Sequence, residues 1–204
     1  MRYVFVLIFI IYFGFVTAQD KLWHVALTSN ATSFPITGYP VLFYANLHPG
    51  IDAAYMKQIN HSDKNRLLLQ VQSTFYYHRF VQSLITCSPS LIYEYKLGKL
   101  NFLNIGLGAG GGLAFEHEAT FKLNSTGDYE QRSMLHPRGQ YLVQFQFGYN
   151  RILIKDKLSS PKIAIGFRTT MQGTFVKSYV PLLPVNSCYI GLQFPINRKV
   201  AQNQ

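Results

Sequence analysis

The sequence predicts an all-β chain: an antiparallel transmembrane β-barrel, of eight strands or alternatively ten, around a polar, filled lumen. Three observations predict it. From Leu103 the odd positions read Leu103, Ile105, Leu107, Ala109, Gly111, Leu113 and Phe115, and the even positions read Asn104, Gly106, Gly108, Gly110, Gly112, Ala114 and Glu116. One face is apolar and the other small or polar, a period of 2 that no helix can have. A run of this length is long for a soluble strand but ordinary in a bilayer, which a tilted strand crosses in about 9–11 residues. Second, beyond the first residues no apolar run is long enough for a membrane helix, and a closed barrel is the other structure that satisfies its backbone inside lipid. Third, the faces are inverted. Gln70/Gln72 and Gln144/Gln146 alternate with Leu67/Leu69 and Phe145/Phe147, so apolar residues form the wider outer face. A soluble secreted ligand-binding barrel, the second alternative, requires the opposite bias.

The elements follow in order. Met1-Arg2, the apolar run Val4–Val16 and the small-residue exit Val16-Thr17-Ala18 form a secretory signal, so residues 1–18 are expected to be cleaved. Residues 19–36 show no strong period and are expected to be a periplasmic leader. The barrel is expected over 37–197, with 198–204 a polar tail. Its first strand, about Tyr39–Leu47, is the weakest. The second, about Gly50–Ile59, turns Asp52 inward. Asn60–Asn65 is a polar turn. The third, about Arg66–Val81, turns Gln70, Gln72, Thr74, Tyr76 and His78 inward. The fourth, about Ile85–Leu97, turns Glu94 and Lys96 inward, and Gly98-Lys99 closes a tight turn. The fifth is the glycine-rich strand described above. Residues 117–137 form the longest break, with a small hairpin about Asn124-Ser125-Thr126-Gly127; if that hairpin joins the wall the count becomes ten. The sixth strand, Gly139–Asn150, turns Gln144 and Gln146 inward. The seventh, Lys162–Gln172, does so with Arg168, and Ser187–Ile196 is the eighth. An even count places both termini in the periplasm, so 117–137 and 173–184 become long extracellular loops.

The chain carries a formal charge of +10, with its Lys and Arg mostly near turns and strand ends, among them Arg66, Lys96 and Lys162. No dense basic run occurs, which argues against nucleic acid; solvated strand ends or a rim facing anionic lipid headgroups suit the pattern. The 16 Phe and 14 Tyr follow the strand period. Cys87 and Cys188 fall outward on strands that are not neighbours, so no disulfide between them is expected.

Three stretches resemble small outer-membrane β-barrel proteins of Bacteroidota that carry no assigned activity: Leu47-His48-Pro49-Gly50, Tyr76-Tyr77-His78-Arg79, and the run from Phe175 to Pro184. The resemblance implies an outer-membrane location and brings no catalytic residues with it.

An eight-stranded barrel is filled by its own side chains. Inward Asp52, Glu94, Lys96, Glu116 and Arg168 should therefore pair with one another, and with Gln70, Gln72, His78, Gln144 and Gln146, because a lone buried charge is costly. The row Gly106/Gly108/Gly110/Gly112 is expected to relieve crowding beneath large inward side chains such as Tyr76 and Tyr189, or else to open a small cavity. Tyr179, Val180, Pro181, Leu182, Leu183 and Pro184 form a stiff apolar stretch in an expected loop and are the candidate partner contact. No histidine is followed two residues later by serine, the same-face pair that a strand-borne acyl hydrolase uses. An outer-leaflet lipid-modifying enzyme, the first alternative, would have to assemble its triad from separate strands at the rim, for example Ser178 with His117 and Glu116 or Glu118. Glu116, His117 and Glu118 are also too poor a set to predict a metal. The expectation is an outer-membrane protein with a structural or accessory role: lipid around it, a protein partner at its loops, and no catalysis, cofactor or metal.

Overall fold

The computed structural model describes residues 21–44, 46–79, 81–116, 121–131, 137–154, 160–176 and 180–196. The expected signal segment 1–18 and the expected tail 198–204 lie outside them. Eight strands close a barrel: β1 (Lys21–Thr32), β2 (His48–Gln58), β3 (Asn65–His78), β4 (Gln82–Lys96), β5 (Asn101–Glu116), β8 (Arg138–Ile152), β9 (Lys162–Val176) and β10 (Val180–Ile196). A one-turn helix, α1 (Val41–Tyr44), follows β1, and the short strands β6 (Phe121–Leu123) and β7 (Tyr129–Gln131) pair only with each other. The wall runs β1-β10-β9-β8-β5-β4-β3-β2 and back to β1, every neighbouring pair antiparallel. The count is eight, because the hairpin stands apart from the wall. Asn124 Oδ1 accepts from the amides of Thr126 (3.0 Å) and Asp128 (2.8 Å), and Gly127 takes the left-handed φ of 90° that this turn needs.

Alternation decides what faces where. In β3, Arg66, Leu68, Gln70, Gln72, Thr74, Tyr76 and His78 are buried inside, while Leu69, Val71, Phe75 and Tyr77 are exposed on the outer wall. The other strands repeat this, so the outer surface is a continuous apolar belt. At the end where Lys21 pairs with Ile196, aromatics gather on the wall: Trp23 stands edge-on to Tyr55 at 5.6 Å and opposite Phe194 in the ladder. Aromatic girdles of this kind mark membrane–water boundaries. No helix among the described residues is long and apolar enough to cross a membrane. Cys87 on β4 and Cys188 on β10 are both free, on strands that do not touch.

Three expectations are corrected. The stretch 19–36 is not a leader: Lys21–Thr32 is β1, the strand that closes the barrel against both β2 and β10, so the barrel begins at 21 rather than 37. Its period was hidden because the inward set Leu22, His24, Ala26, Thr28 and Asn30 mixes apolar with polar residues. The stretch 39–47 is not a strand; it holds α1, preceded by turns. Finally, 173–184 is not a long loop. β9 runs on to Val176 and β10 starts at Val180, with Leu182, Leu183 and Pro184 paired to Gly173, Gln172 and Met171. Two prolines read as loop because proline cannot donate to a ladder, but a register shift between Val180 and Leu182 absorbs Pro181.

Candidate functional site: the filled lumen and the segment on the outer wall

The lumen holds two charge clusters. Near the end that carries Lys21 and Ile196, Glu94 is fully buried on β4. Its Oε1 accepts from Arg66 Nη1 (2.9 Å) and Lys162 Nζ (3.1 Å), and its Oε2 accepts from Asn150 Nδ2 (2.8 Å). Arg66 Nε also donates to Gln58 Oε1 at 2.9 Å, and Lys162 Nζ lies 3.9 Å from the Phe102 ring centroid. Deeper in the lumen, Arg168 grips Asp52 through both terminal guanidinium nitrogens, Nη1 to Oδ2 at 2.8 Å and Nη2 to Oδ1 at 3.1 Å. This fork-on-carboxylate geometry is the strong form of the pair. A chain of side chains runs into it. Gln70 donates to Gln72 (2.8 Å), Gln72 to Thr74 (3.2 Å), and Thr74 Oγ1 to Asp52 Oδ1 (2.7 Å).

Toward the opposite end the fill is mostly neutral, with Arg138 Nη2 reaching Gln82 Oε1 at 3.5 Å. Gln144 Nε2 donates to Ser90 Oγ (2.8 Å), Gln172 Nε2 to the Tyr76 hydroxyl (3.1 Å), and Gln140 Nε2 to Gln82 Oε1 (3.2 Å). The His48 and His78 rings stack with centroids 3.6 Å apart. Among the described residues, internal spaces of about 10 and 20 Å³ lie in the lumen, each the size of a water molecule. Around the smaller one, His24 Nδ1, Gln70 Oε1, Asn104 Oδ1, Asn150 Oδ1 and Gln193 Oε1 have no partner within the protein, so the space suits water. Neither space admits a substrate or forms a passage.

Asp52, Gln70, Gln72, His78, Glu94, Gln144, Gln146 and Arg168 are all buried in the lumen. Lys96 is the exception: it ends β4 partly exposed at the barrel mouth. Glu116 ends β5 opposite Gln82 in the ladder. Arg66 and Lys162, assigned from sequence to the charged rim, instead turn inward onto Glu94. Position next to a turn suggested solvent; the inward placement agrees with the parity each shares with Gln70 and Arg168. Of the candidate partner loop, Val180, Pro181, Leu182, Leu183 and Pro184 belong to strand β10 of the wall, and Tyr179 lies outside the described residues. So do His117, Glu118 and Ser178. Among the described residues no His, Cys, Asp and Glu cluster could hold a metal.

The glycines serve close approach rather than the large aromatics named from sequence. A methyl at Gly110 would lie 2.7 Å from Ser88 Cα, and one at Gly106 would meet Ile92 and Gln146. The room for Tyr189 comes from Gly166, where an added methyl would lie 2.5 Å from its hydroxyl, and from Gly148.

Sequence reasoning missed a second feature. After β1 the chain folds back over the outside of the barrel. Thr169 and Asn186 have outward parity yet are buried, because residues 33–39 cover them. Asn186 Nδ2 donates to Ser33 Oγ (2.7 Å) and to the Phe34 carbonyl (2.8 Å), while its Oδ1 accepts from Thr169 Oγ1 (2.7 Å). The Tyr39 hydroxyl meets Thr169 Oγ1 at 2.9 Å, and the Tyr39 ring packs on Phe167 at 5.0 Å.

No protein-family model matches the chain, and no curated protein sequence does. Solved structures do. Neisserial surface protein A (NspA) superposes with a TM-score of 0.55 at 12% identity, over 87% of this chain and 97% of that one. The outer membrane enzyme PagL gives 0.48 at 10% identity, over 86% and 99%. The N-terminal β-barrel domain of Pseudomonas aeruginosa OprF gives 0.48 at 10% identity, over 87% and 100%. At such identities the likeness is one of fold, and the fold is that of the small, closed, eight-stranded outer-membrane β-barrels.

Proposed function

We propose that the protein is an integral outer-membrane barrel with a structural or accessory role, exported by a cleaved signal, set in lipid by its wall and engaging a protein partner at the end opposite its termini. The observation that carries this reading is the inverted polarity: an apolar outer wall around a lumen filled by paired polar and charged side chains. A filled lumen supports neither a pore nor an internal substrate site. Because Val180–Pro184 are wall residues, the partner surface shifts to the 117–137 segment, of which β6 and β7 form a hairpin separate from the barrel. The alternative, a lipid hydrolase using Ser178, His117 and Glu116 or Glu118, makes a distinct prediction: Ser178→Ala would abolish deacylation of lipid while the barrel stays folded.

The test is expression with the native N-terminus in a Gram-negative host, followed by membrane fractionation and gel electrophoresis with and without boiling. The expected outcome is recovery in the outer membrane and a mobility shift on boiling. Recovery as a soluble protein with no shift would overturn the membrane reading.

A further inference from the structure

We infer that residues 33–44 form a lipid-contacting strap, which lies on the outer wall and presents Phe34, Ile36 and Phe43 to the acyl chains of the surrounding bilayer. The inference rests on the membrane reading of the barrel and adds an interaction surface to it.

Four observations converge. The strap seals a polar flaw in the wall: Asn186 and Thr169 point outward, where lipid would leave their polar atoms unsatisfied, and Ser33, the Phe34 carbonyl and Tyr39 bond them instead. The strap also satisfies itself. The amides of Thr37, Gly38 and Tyr39 donate to the carbonyls of Pro35, Phe34 and Ile36, and those of Val41, Leu42 and Phe43 to Gly38, Tyr39 and Pro40. Pro35 and Pro40 have no amide hydrogen. From Pro35 to Phe43 the only N–H not accounted for is that of Ile36, so the strap meets most of the demand that lipid places on backbone donors. Its outer side is apolar and open, with Phe34 80%, Phe43 77% and Tyr44 76% exposed, and it lies on the apolar wall through the Tyr39–Phe167 contact. Finally, Ser33 to Leu47 contain no charged residue, whereas the 117–137 segment at the same end contains Glu118, Lys122, Asp128, Glu130 and Arg132. An aqueous loop has no reason to avoid charge over such a length.

The geometry is held firmly. Ile36 sits at a φ of 60°, a left-handed conformation that a β-branched residue adopts only when its surroundings enforce it. Gly38 is packed against the Phe34 carbonyl and Ser33 with no room for a methyl.

The chain has one tryptophan, Trp23, on the outer wall, and it supplies the internal control. The full chain is folded into phosphatidylcholine vesicles with plain or brominated acyl chains, and tryptophan emission is compared. Two forms are used: the natural chain, which reports Trp23, and a Trp23→Phe, Phe43→Trp chain, which reports the strap. The expected result is at least twofold quenching by bromine in both, with the strap tryptophan shielded from aqueous iodide. Quenching of Trp23 alone, with the strap open to iodide, would overturn the proposal and leave the membrane reading intact. A strap shielded from both bromine and iodide would also overturn it, by showing protein rather than lipid on that face. Lack of quenching at Trp23 itself would overturn the membrane reading and the strap together. In a third chain, adding Asn186→Leu to the strap reporter should at least halve the bromine quenching at position 43 while the mobility shift on boiling persists. Unchanged quenching there would overturn the role of the Asn186 bonds in seating the strap.

Discussion

At the scale of single residues, the lumen shows how closely its charges are balanced. Glu94 holds Arg66, Lys162 and Asn150 at once, so Glu94→Ala would remove the carboxylate that these two buried cations share. Breaking a buried pair in this way costs about 3–5 kcal/mol. The expected outcome is a large drop in the urea midpoint of unfolding from detergent or lipid, read by the loss of the unboiled gel species. Asp52→Ala should act in the same direction through Arg168. Asp52, Glu94 and Arg168 were legible in the sequence because strand parity fixes the face of a mid-strand residue. Arg66 and Lys162 obey the same parity, but each sits one or two residues from a turn, where a long side chain has both water and lumen within reach. Only the three-dimensional position of Glu94 decides between the two. Asn186 and Thr169 were illegible for a related reason: parity says outward, and nothing local announces that another segment covers them.

Strands and turns were legible where their two faces differ in chemistry, as in β3, β5 and β8. Reading failed where the faces blur. β1 places Leu22 and Ala26 inside and Ser29 outside, so its alternation carries little contrast. β10 opens with Pro181 and Pro184, whose missing donors imitate a loop. Two predictions belong at this scale. Gly110→Ala should destabilise the barrel by about 1–3 kcal/mol through overpacking, since the added methyl meets the backbone of Ser88, which cannot swing aside. Gly139→Ala, with open space around it, should leave the unfolding midpoint unchanged and serves as the control. Replacing Phe121–Gln131 by a short Gly-Ser linker should leave the mobility shift on boiling intact, because the β6–β7 hairpin contributes no hydrogen bond to the wall ladders. A lost shift would show that the hairpin supports the wall.

For the whole molecule, the inverted pattern of polar inside and apolar outside was legible from composition and period alone, and it fixes where the protein can exist. In water the belt that includes Leu27, Val71, Leu107 and Phe147 would be exposed; in a bilayer the same surface is the favourable one. Closure adds something further. Seven of the eight wall contacts join strands that follow one another along the chain, apart from the inserted hairpin, but the eighth joins Lys21 to Ile196 and Thr32 to Val185. That ladder alone spans nearly the whole described sequence, and bringing its two edges together carries the largest loop-closure entropy in the molecule. Until β10 arrives, β1 presents a bare edge whose amides and carbonyls have no partner, a state that a hydrocarbon environment penalises heavily. Synthesis runs from β1 to β10, so the last strand made is the one that completes the ring. Membrane entry and ring closure are therefore bound into one event, and a chain cut short before β10 should be left as an aggregation-prone open sheet rather than a smaller barrel.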